Sequence, residues 1–117
     1  MYRYIAELIR VVDGDTIDVR VDLGFQITQV IRVRLKGINT PELRGKEKAA
    51  GMLAKDVVCV ELEAAKVIGI ETFKMGNFGR YVSNVFYSKR KIKKENVFNK
   101  KYSLNEKLLE MGLAEKI

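Results

Sequence analysis

The order of elements along this 117-residue chain predicts a mainly β, α+β domain: a five-stranded OB-fold (Greek-key) barrel with two packed helices. Three observations support this prediction. Residues 3–36 alternate apolar and polar side chains through two glycine-containing turns, residues 45–66 change to helical spacing, and residues 67–87 return to alternation around a third turn. Five strands with a helix between the third and the fourth are the order expected of this barrel.

The first half of the barrel is predicted to be an antiparallel meander, because successive strands are joined by turns that contain glycine. The second strand alternates most clearly between apolar and charged side chains. We predict strands over residues 3–12, 15–22 and 25–36, with turns at Asp13-Gly14 and Leu23-Gly24.

The second half begins with the helical segment that follows Pro41. Its VVCV stretch is also compatible with a strand, so the position at which this helix ends stays open. Two strands are predicted at residues 67–73 and 81–87, around the turn KMGNFGR. A last helix is predicted from Ser103, which forms a capping-box pattern with Glu106, and Gly112 is its C-terminal stop.

Size and composition indicate one domain over residues 1–117, which we expect to be a monomer. No apolar run approaches the roughly 18–20 residues that cross a bilayer, so no membrane contact is expected. The N-terminus lacks the pattern of a secretory signal, and a single cysteine agrees with a reducing compartment. These features predict a cytoplasmic protein, unless a leader has been removed.

Nearly all of the net charge of +7 lies in residues 88–101. Seven basic residues there face a single acid, Glu95. A polyanionic partner, DNA or RNA, is therefore predicted, although a solvated, disordered loop is the alternative explanation of such a run. The lysines and arginine that we expect to contact the nucleic-acid backbone are Lys89, Arg90, Lys91, Lys93 and Lys94.

Four short features together offer the chemistry of phosphodiester hydrolysis. Taken singly, each has a structural explanation: a hairpin turn at Asp15, a surface arginine at Arg34, a helix start at residues 39–42, and a turn before Arg80. Together they supply oxygen ligands for a hard cation and two arginines that can bind a phosphate. They also supply a carboxylate, that of Glu42, which can orient or deprotonate a water molecule. With no histidine and one cysteine, zinc and histidine mechanisms have almost no ligands to use.

DGDT, VRLKGINTPE, the Gly-Arg pair after the fourth strand and LNEKLLEMGLAE resemble the staphylococcal-nuclease (thermonuclease) family over about residues 4 to 115. The resemblance implies a five-stranded OB barrel and calcium-dependent hydrolysis of DNA and RNA that leaves 3′-phosphate ends. It implies that a single divalent ion is held by a carboxylate and neighbouring oxygens, and that two arginines grip the scissile phosphate. By position, the implied metal residues are Asp15, Asn39 and Thr40, and the implied catalytic residues are Arg34, Glu42 and Arg80.

Three departures from the family pattern modify these expectations. Asn39 stands where relatives often carry an aspartate, so we expect weaker calcium binding. Phe78 follows Asn77 where the secreted nucleases have a lysine-tyrosine pair, and we expect it to stack on a base. The final helix and a pocket tyrosine of the longer nucleases have no counterpart here. Substrate grip is therefore expected to be weaker, or to come from the basic segment.

Two other functions are compatible with the same fold. The first is a non-catalytic OB module that binds nucleic acid or another partner, as degenerate copies of this domain do in the eukaryotic Tudor-containing coactivator. The second is a protein-interaction domain whose polar residues only form turns. Degenerate copies usually lose acidic or arginine positions, whereas Asp15, Arg34, Glu42 and Arg80 are all present here. This completeness favours the enzyme.

Overall fold

Seven strands and two α-helices form the part of the chain that the structure, a computed structural model, describes: residues 1–75 and 80–117. The strands are β1 (Tyr2–Asp13), β2 (Thr16–Asp22), β3 (Thr28–Leu35), β4 (Ile38–Asn39), β5 (Val67–Met75), β6 (Tyr81–Ser88) and β7 (Glu115–Lys116). The α-helices are α1 (Lys48–Glu63) and α2 (Leu104–Glu110), and short 3-10 helices span Gly45–Glu47, Lys94–Phe98 and Lys100–Tyr102.

The five long strands close into a barrel in the order β1-β2-β3-β6-β5. Neighbouring strands are antiparallel except for β3 and β6, which run parallel with Val33 opposite Tyr81. Closure comes from β5, which pairs back onto β1 with Ala6 opposite Ile68. With α1 between β3 and β5, this arrangement confirms the predicted OB barrel and its two packed helices. None of the described helices has the length and apolar character needed to cross a membrane.

The third strand begins at Thr28, so the predicted start at residue 25 was wrong. Gly24, Phe25 and Gln26 have positive φ angles of 81°, 54° and 62°. Such a left-handed run turns the backbone away from the extended conformation. The Ile27 N–H closes the turn by donating to the Gly24 carbonyl oxygen at 2.9 Å. The loop leaves the Phe25 side chain 96% exposed.

Both helices have ends that their sequences explain. Helix α1 continues to Glu63, so the VVCV stretch is helical, and its Val58 is fully buried in the core. Helix α2 follows the predicted cap: the Glu106 N–H donates to the Ser103 hydroxyl at 3.2 Å. The chain leaves this helix at Gly112, which has a φ of 72°.

A buried amide ties α2 to the end of the barrel where β3 stops. Asn105 accepts a hydrogen bond from the Val85 N–H at 3.0 Å and donates to the Lys36 carbonyl oxygen at 2.9 Å. Leu104 and Leu108 of the same helix are fully buried in the core. The residues that follow β3 are therefore held from the side of α2, and this positions the chain that enters the site.

The basic segment 88–101 is folded against the barrel. Its two 3-10 helices place Val97 in a small apolar cluster with Phe86. Gly69 of β5 permits this contact, because a Cβ atom there would lie 2.6 Å from Val97 Cγ1. The structure thus favours an ordered segment over the disordered loop.

Candidate active site

The turn after β1 and the end of β3 bring Asp15 beside Arg34. Thr16 is the register partner of Arg34, and the Leu35 N–H donates to the Asp15 carbonyl oxygen at 2.8 Å. Across this junction Arg34 Nη2 lies 3.4 Å from Asp15 Oδ2. Two residues that are far apart in the sequence thus form an ion pair at one end of the β2–β3 hairpin.

The Asp15 carboxylate is buried and well supplied with donors. Its Oδ2 accepts from the Thr40 N–H at 3.0 Å, and its Oδ1 contacts the Thr16 hydroxyl at 3.2 Å. Burial by itself raises the pKa of Asp15, but the hydrogen bonds from Asp13 and Thr40 and the charge of Arg34 hold it below its usual value. At neutral pH Asp15 is therefore ionised, as a metal ligand must be.

Asp13 is a neighbour of the site that sequence reasoning missed. Its Oδ1 accepts the Asp15 N–H at 3.1 Å, which closes the DGD turn. Burial, and then the hydrogen bond and the charge of Asp15, raise the pKa of Asp13. The pKa values of the two carboxyl groups are therefore shifted in opposite directions, that of Asp13 upward and that of Asp15 downward. The signal was available, because Asp13 is two residues before Asp15 across the turn.

Arg34 joins Asp15 to Asn39. The same Nη2 atom that faces Asp15 donates to Asn39 Oδ1, and Nη1 donates to the Leu35 carbonyl oxygen at 2.9 Å. An aspartate oxygen and an amide oxygen thus converge on one positive group.

The loop that carries Glu42 is held from both sides. The Glu42 N–H donates to Glu47 Oε2 at 3.1 Å. Gly51 of α1 packs directly against the same loop, because a Cβ atom there would lie 2.2 Å from the Glu42 carbonyl oxygen. Neither Glu47 nor Gly51 was identified from the sequence. A glycine within a predicted helix was the available signal of a close backbone approach.

One open cavity of about 540 Å³ collects all six residues that the sequence assigned to metal binding and catalysis. Arg80 reaches it from the residue before β6, next to the paired ends of β3 and β6. The remaining wall comes from the DGD turn, the Gly45–Glu47 helix and the end of the chain after α2. The lining residues are Asp13, Asp15, Arg34, Asn39, Thr40, Pro41, Glu42, Glu47, Arg80, Gly112, Leu113, Ala114 and Glu115.

A family model described as staphylococcal nuclease homologue matches residues 32–117, almost three quarters of the chain. The chain belongs to the staphylococcal nuclease family. Membership supports a nuclease-type, nucleic-acid-related function in general. The matched region includes Arg34, Glu42 and Arg80. Asp15 precedes the matched region, and the pairing of β2 with β3 brings it next to Arg34. No curated protein matches the chain.

The oxygen donors of this staphylococcal nuclease homologue fit a hard divalent cation. Asp15 offers a carboxylate, Asn39 an amide oxygen and Thr40 its own oxygens, which is the donor chemistry that calcium prefers. Within residues 1–75 and 80–117, no three Asp, Glu, His or Cys side chains are grouped as metal ligands. Asp15 is therefore the one carboxylate among the three residues assigned to the ion.

The residues predicted to contact nucleic acid lie either away from this cavity or outside the residues that the structure describes. Phe78 is outside the described residues. The basic segment starts at the other end of β6 from Arg80, about 25 Å along an extended strand. Lys89 pairs there with Glu61 at 2.6 Å, and Lys89 and Arg90 line a separate hollow of about 230 Å³. The structure does not bring these residues to the cavity, and their role stays a prediction.

Proposed function

We propose that this protein is a calcium-dependent nuclease that hydrolyses phosphodiester bonds of DNA and RNA without strong sequence specificity and leaves 3′-phosphate ends. The observation that carries the proposal is the convergence of an ionised carboxylate, two arginines and a second carboxylate on one cavity: Asp15, Arg34, Arg80 and Glu42. Phosphodiester hydrolysis needs these groups because negative charge develops on phosphate oxygens while a water attacks in line.

Asp15 and Asn39 would hold the ion, with a Thr40 oxygen beside them. A bound calcium ion supplies positive charge that neutralises the phosphate and polarises it toward attack. The protein's own contribution is to keep Asp15 ionised and in place. The Thr40 N–H at 3.0 Å and the short turn through Asp13 both do this.

The two arginines are the phosphate-binding groups. Arg34 is held beside the cavity by its hydrogen bond to the Leu35 carbonyl oxygen, and a bound ion would share the oxygens of Asp15 and Asn39 that also contact the guanidinium. Arg80 faces the same cavity from the parallel neighbouring strand. Planar guanidinium groups on two sides of a phosphate can each donate paired hydrogen bonds, which lysine cannot do with the same geometry.

Glu42 acts on the attacking water, as a general base or by orienting it. Its exposed side chain belongs to the cavity wall, while its backbone is fixed by Glu47 and by the contact with Gly51. The loop therefore presents an exposed carboxylate on a backbone that is held in place. Pro41 adds to that rigidity because its ring fixes φ.

The deciding experiment compares cleavage of single-stranded DNA, double-stranded DNA and RNA in calcium, in magnesium and in a chelator. Glu42→Gln is the site variant, and Glu63→Gln, on an exposed residue at the far end of α1, is the matched control. We expect calcium-dependent cleavage that falls about 100-fold or more in Glu42→Gln and is unchanged in Glu63→Gln. Products that a polymerase extends only after phosphatase treatment identify 3′-phosphate ends.

Binding without cleavage in every metal condition would refute the nuclease and support the alternative, a non-catalytic OB module that binds nucleic acid. The basic segment supports this alternative, because it offers positive charge remote from the cavity.

In either case we propose that the basic segment contacts the backbone of the nucleic acid. Neutral replacement of Lys91, Lys93 and Lys94 should then reduce the salt dependence of DNA binding. An unchanged salt slope would refute this contact.

A further inference from the structure

The end of the chain adds a carboxylate to the cavity wall. Strand β7 pairs antiparallel with β4, and the register places Glu115 directly opposite Asn39. The pairing is continued by the Ile117 N–H, which donates to the Gly37 carbonyl oxygen at 3.0 Å. Directly opposed residues of an antiparallel pair carry their side chains on the same face. Glu115 and Asn39 accordingly line the same cavity.

The charges around Asp15 and Asn39 show why the Glu115 carboxylate matters to this cavity. Asn39 contributes an oxygen without a formal charge, and the charge of Asp15 is offset by the Arg34 ion pair. The Glu115 side chain is exposed and makes no hydrogen bond or ion pair with any residue of the described ranges. Its carboxylate therefore forms no ion pair within those ranges, and it shares the cavity with Arg34 and Arg80.

We propose that Glu115 supplies the negative charge that Asn39 lacks, and so strengthens the binding of a divalent cation at Asp15 and Asn39. The inference rests on the proposed calcium-dependent function and adds a residue from the opposite end of the chain to its metal site. The contribution is electrostatic and does not require the Glu115 carboxylate to touch the ion. Lys116, the next residue along β7, points to the other face of the pair and lines a separate cavity.

The size of the effect follows from Coulomb's law. Side chains of directly opposed residues start about 5 Å apart at Cβ, so a cation held at Asn39 lies about 7 Å from the Glu115 carboxylate. At that separation in a water-exposed site, a unit charge changes the affinity for a divalent ion about five- to tenfold. Screening should reduce the change as ionic strength rises, because the pair is open to solvent.

The test is calcium titration calorimetry at low salt on four purified full-length proteins: the parent, Glu115→Gln, Asn39→Asp and the double variant. Glu63→Gln is again the control. We expect Glu115→Gln to weaken calcium binding about five- to tenfold, and Glu63→Gln to leave it unchanged. Adding Asn39→Asp to Glu115→Gln should bring calcium affinity back to the parent level or above it. Thermal unfolding without calcium should show that Glu115→Gln folds as the parent does.

Rescue separates an electrostatic role from a structural one, because Asn39→Asp restores charge and not the β4–β7 pairing. If the parent binds calcium and Glu115→Gln binds it equally well, the inference is overturned while the proposed nuclease stands. Failure of Asn39→Asp to rescue a weakened Glu115→Gln also overturns it. If the parent binds no calcium, the metal dependence of the proposed function fails, and the inference fails with it.

Discussion

Replacing Gly51 with alanine should reduce catalysis far more than it reduces stability. The new Cβ atom would lie 2.2 Å from the Glu42 carbonyl oxygen, 2.7 Å from the Glu42 carbonyl carbon and 2.8 Å from the Pro41 carbonyl oxygen. An ordinary contact between such atoms needs about 3.3 Å, so the loop must move by about 1 Å. All three atoms are backbone, and no side-chain rotation relieves the overlap.

The magnitudes of the two effects differ. Displacement of a catalytic group by about 1 Å costs on the order of 100-fold in rate. Alanine in a helix interior gains about 1 kcal/mol over glycine, which offsets part of the roughly 1–3 kcal/mol cost of overpacking. We therefore expect the free energy of unfolding to fall by no more than about 2 kcal/mol, while the turnover number on DNA falls about 100-fold.

The assay measures cleavage at saturating DNA beside urea unfolding of the same preparations. Ala49→Gly is the control, since it reverses the helix-propensity change at an exposed position of α1. It should lose about 1 kcal/mol of stability and keep its turnover number. Full activity in a folded Gly51→Ala protein would refute the argument that α1 positions Glu42.

Three further outcomes are expected. Hydrogen bonds from Lys89 and then Lys107 lower the pKa of Glu61 from 4.5 to about 2, so the stability they contribute is complete above pH 4.5 and is lost as pH falls toward 2. The stability difference between the parent and Glu61→Gln, measured by urea unfolding, should shrink over that interval; a constant difference would contradict the assignment. Gly69→Ala should lose about 1–3 kcal/mol in the same measurement, because its Cβ atom would overlap the residues packed on β5; an unchanged midpoint would show that this packing is loose. Phe25→Asn should raise the melting temperature by a few degrees, because asparagine tolerates the φ of 54° better and the lost side chain is 96% exposed; a lower melting temperature would show that the Phe25 ring contributes to stability.

The barrel was predictable because alternation reports which face of a strand is buried. In β2, Ile17, Val19 and Val21 are all buried, as their spacing requires. The start of β3 was not predictable in the same way. Its preceding turn uses positive φ at Phe25 and Gln26, residues whose identity does not announce that conformation. Backbone geometry of this kind is decided by the turn as a whole and not by residue type.

The residues of the candidate site likewise fall into those that the sequence could predict and those that it could not. Asp15, Arg34 and Glu42 could be named because each lies in a motif with a local pattern. Glu47 and Glu115 could not, because their roles depend on contacts between segments that the fold brings together, and for Gly51 the sequence showed a glycine within a helix but not the loop that it contacts. Glu115 is the extreme case, since only the β4–β7 register shows that it faces Asn39.

The parallel pairing of β3 with β6 also has a consequence for synthesis. Arg34 and Arg80 become neighbours only when this pairing forms, and it joins segments separated by the whole of α1 and β5. Because loop-closure entropy opposes such long-range contacts, they form late in folding. If the proposed function holds, a chain still emerging from the ribosome has one arginine without the other, and the proposed phosphate-binding pair is incomplete until the barrel has closed.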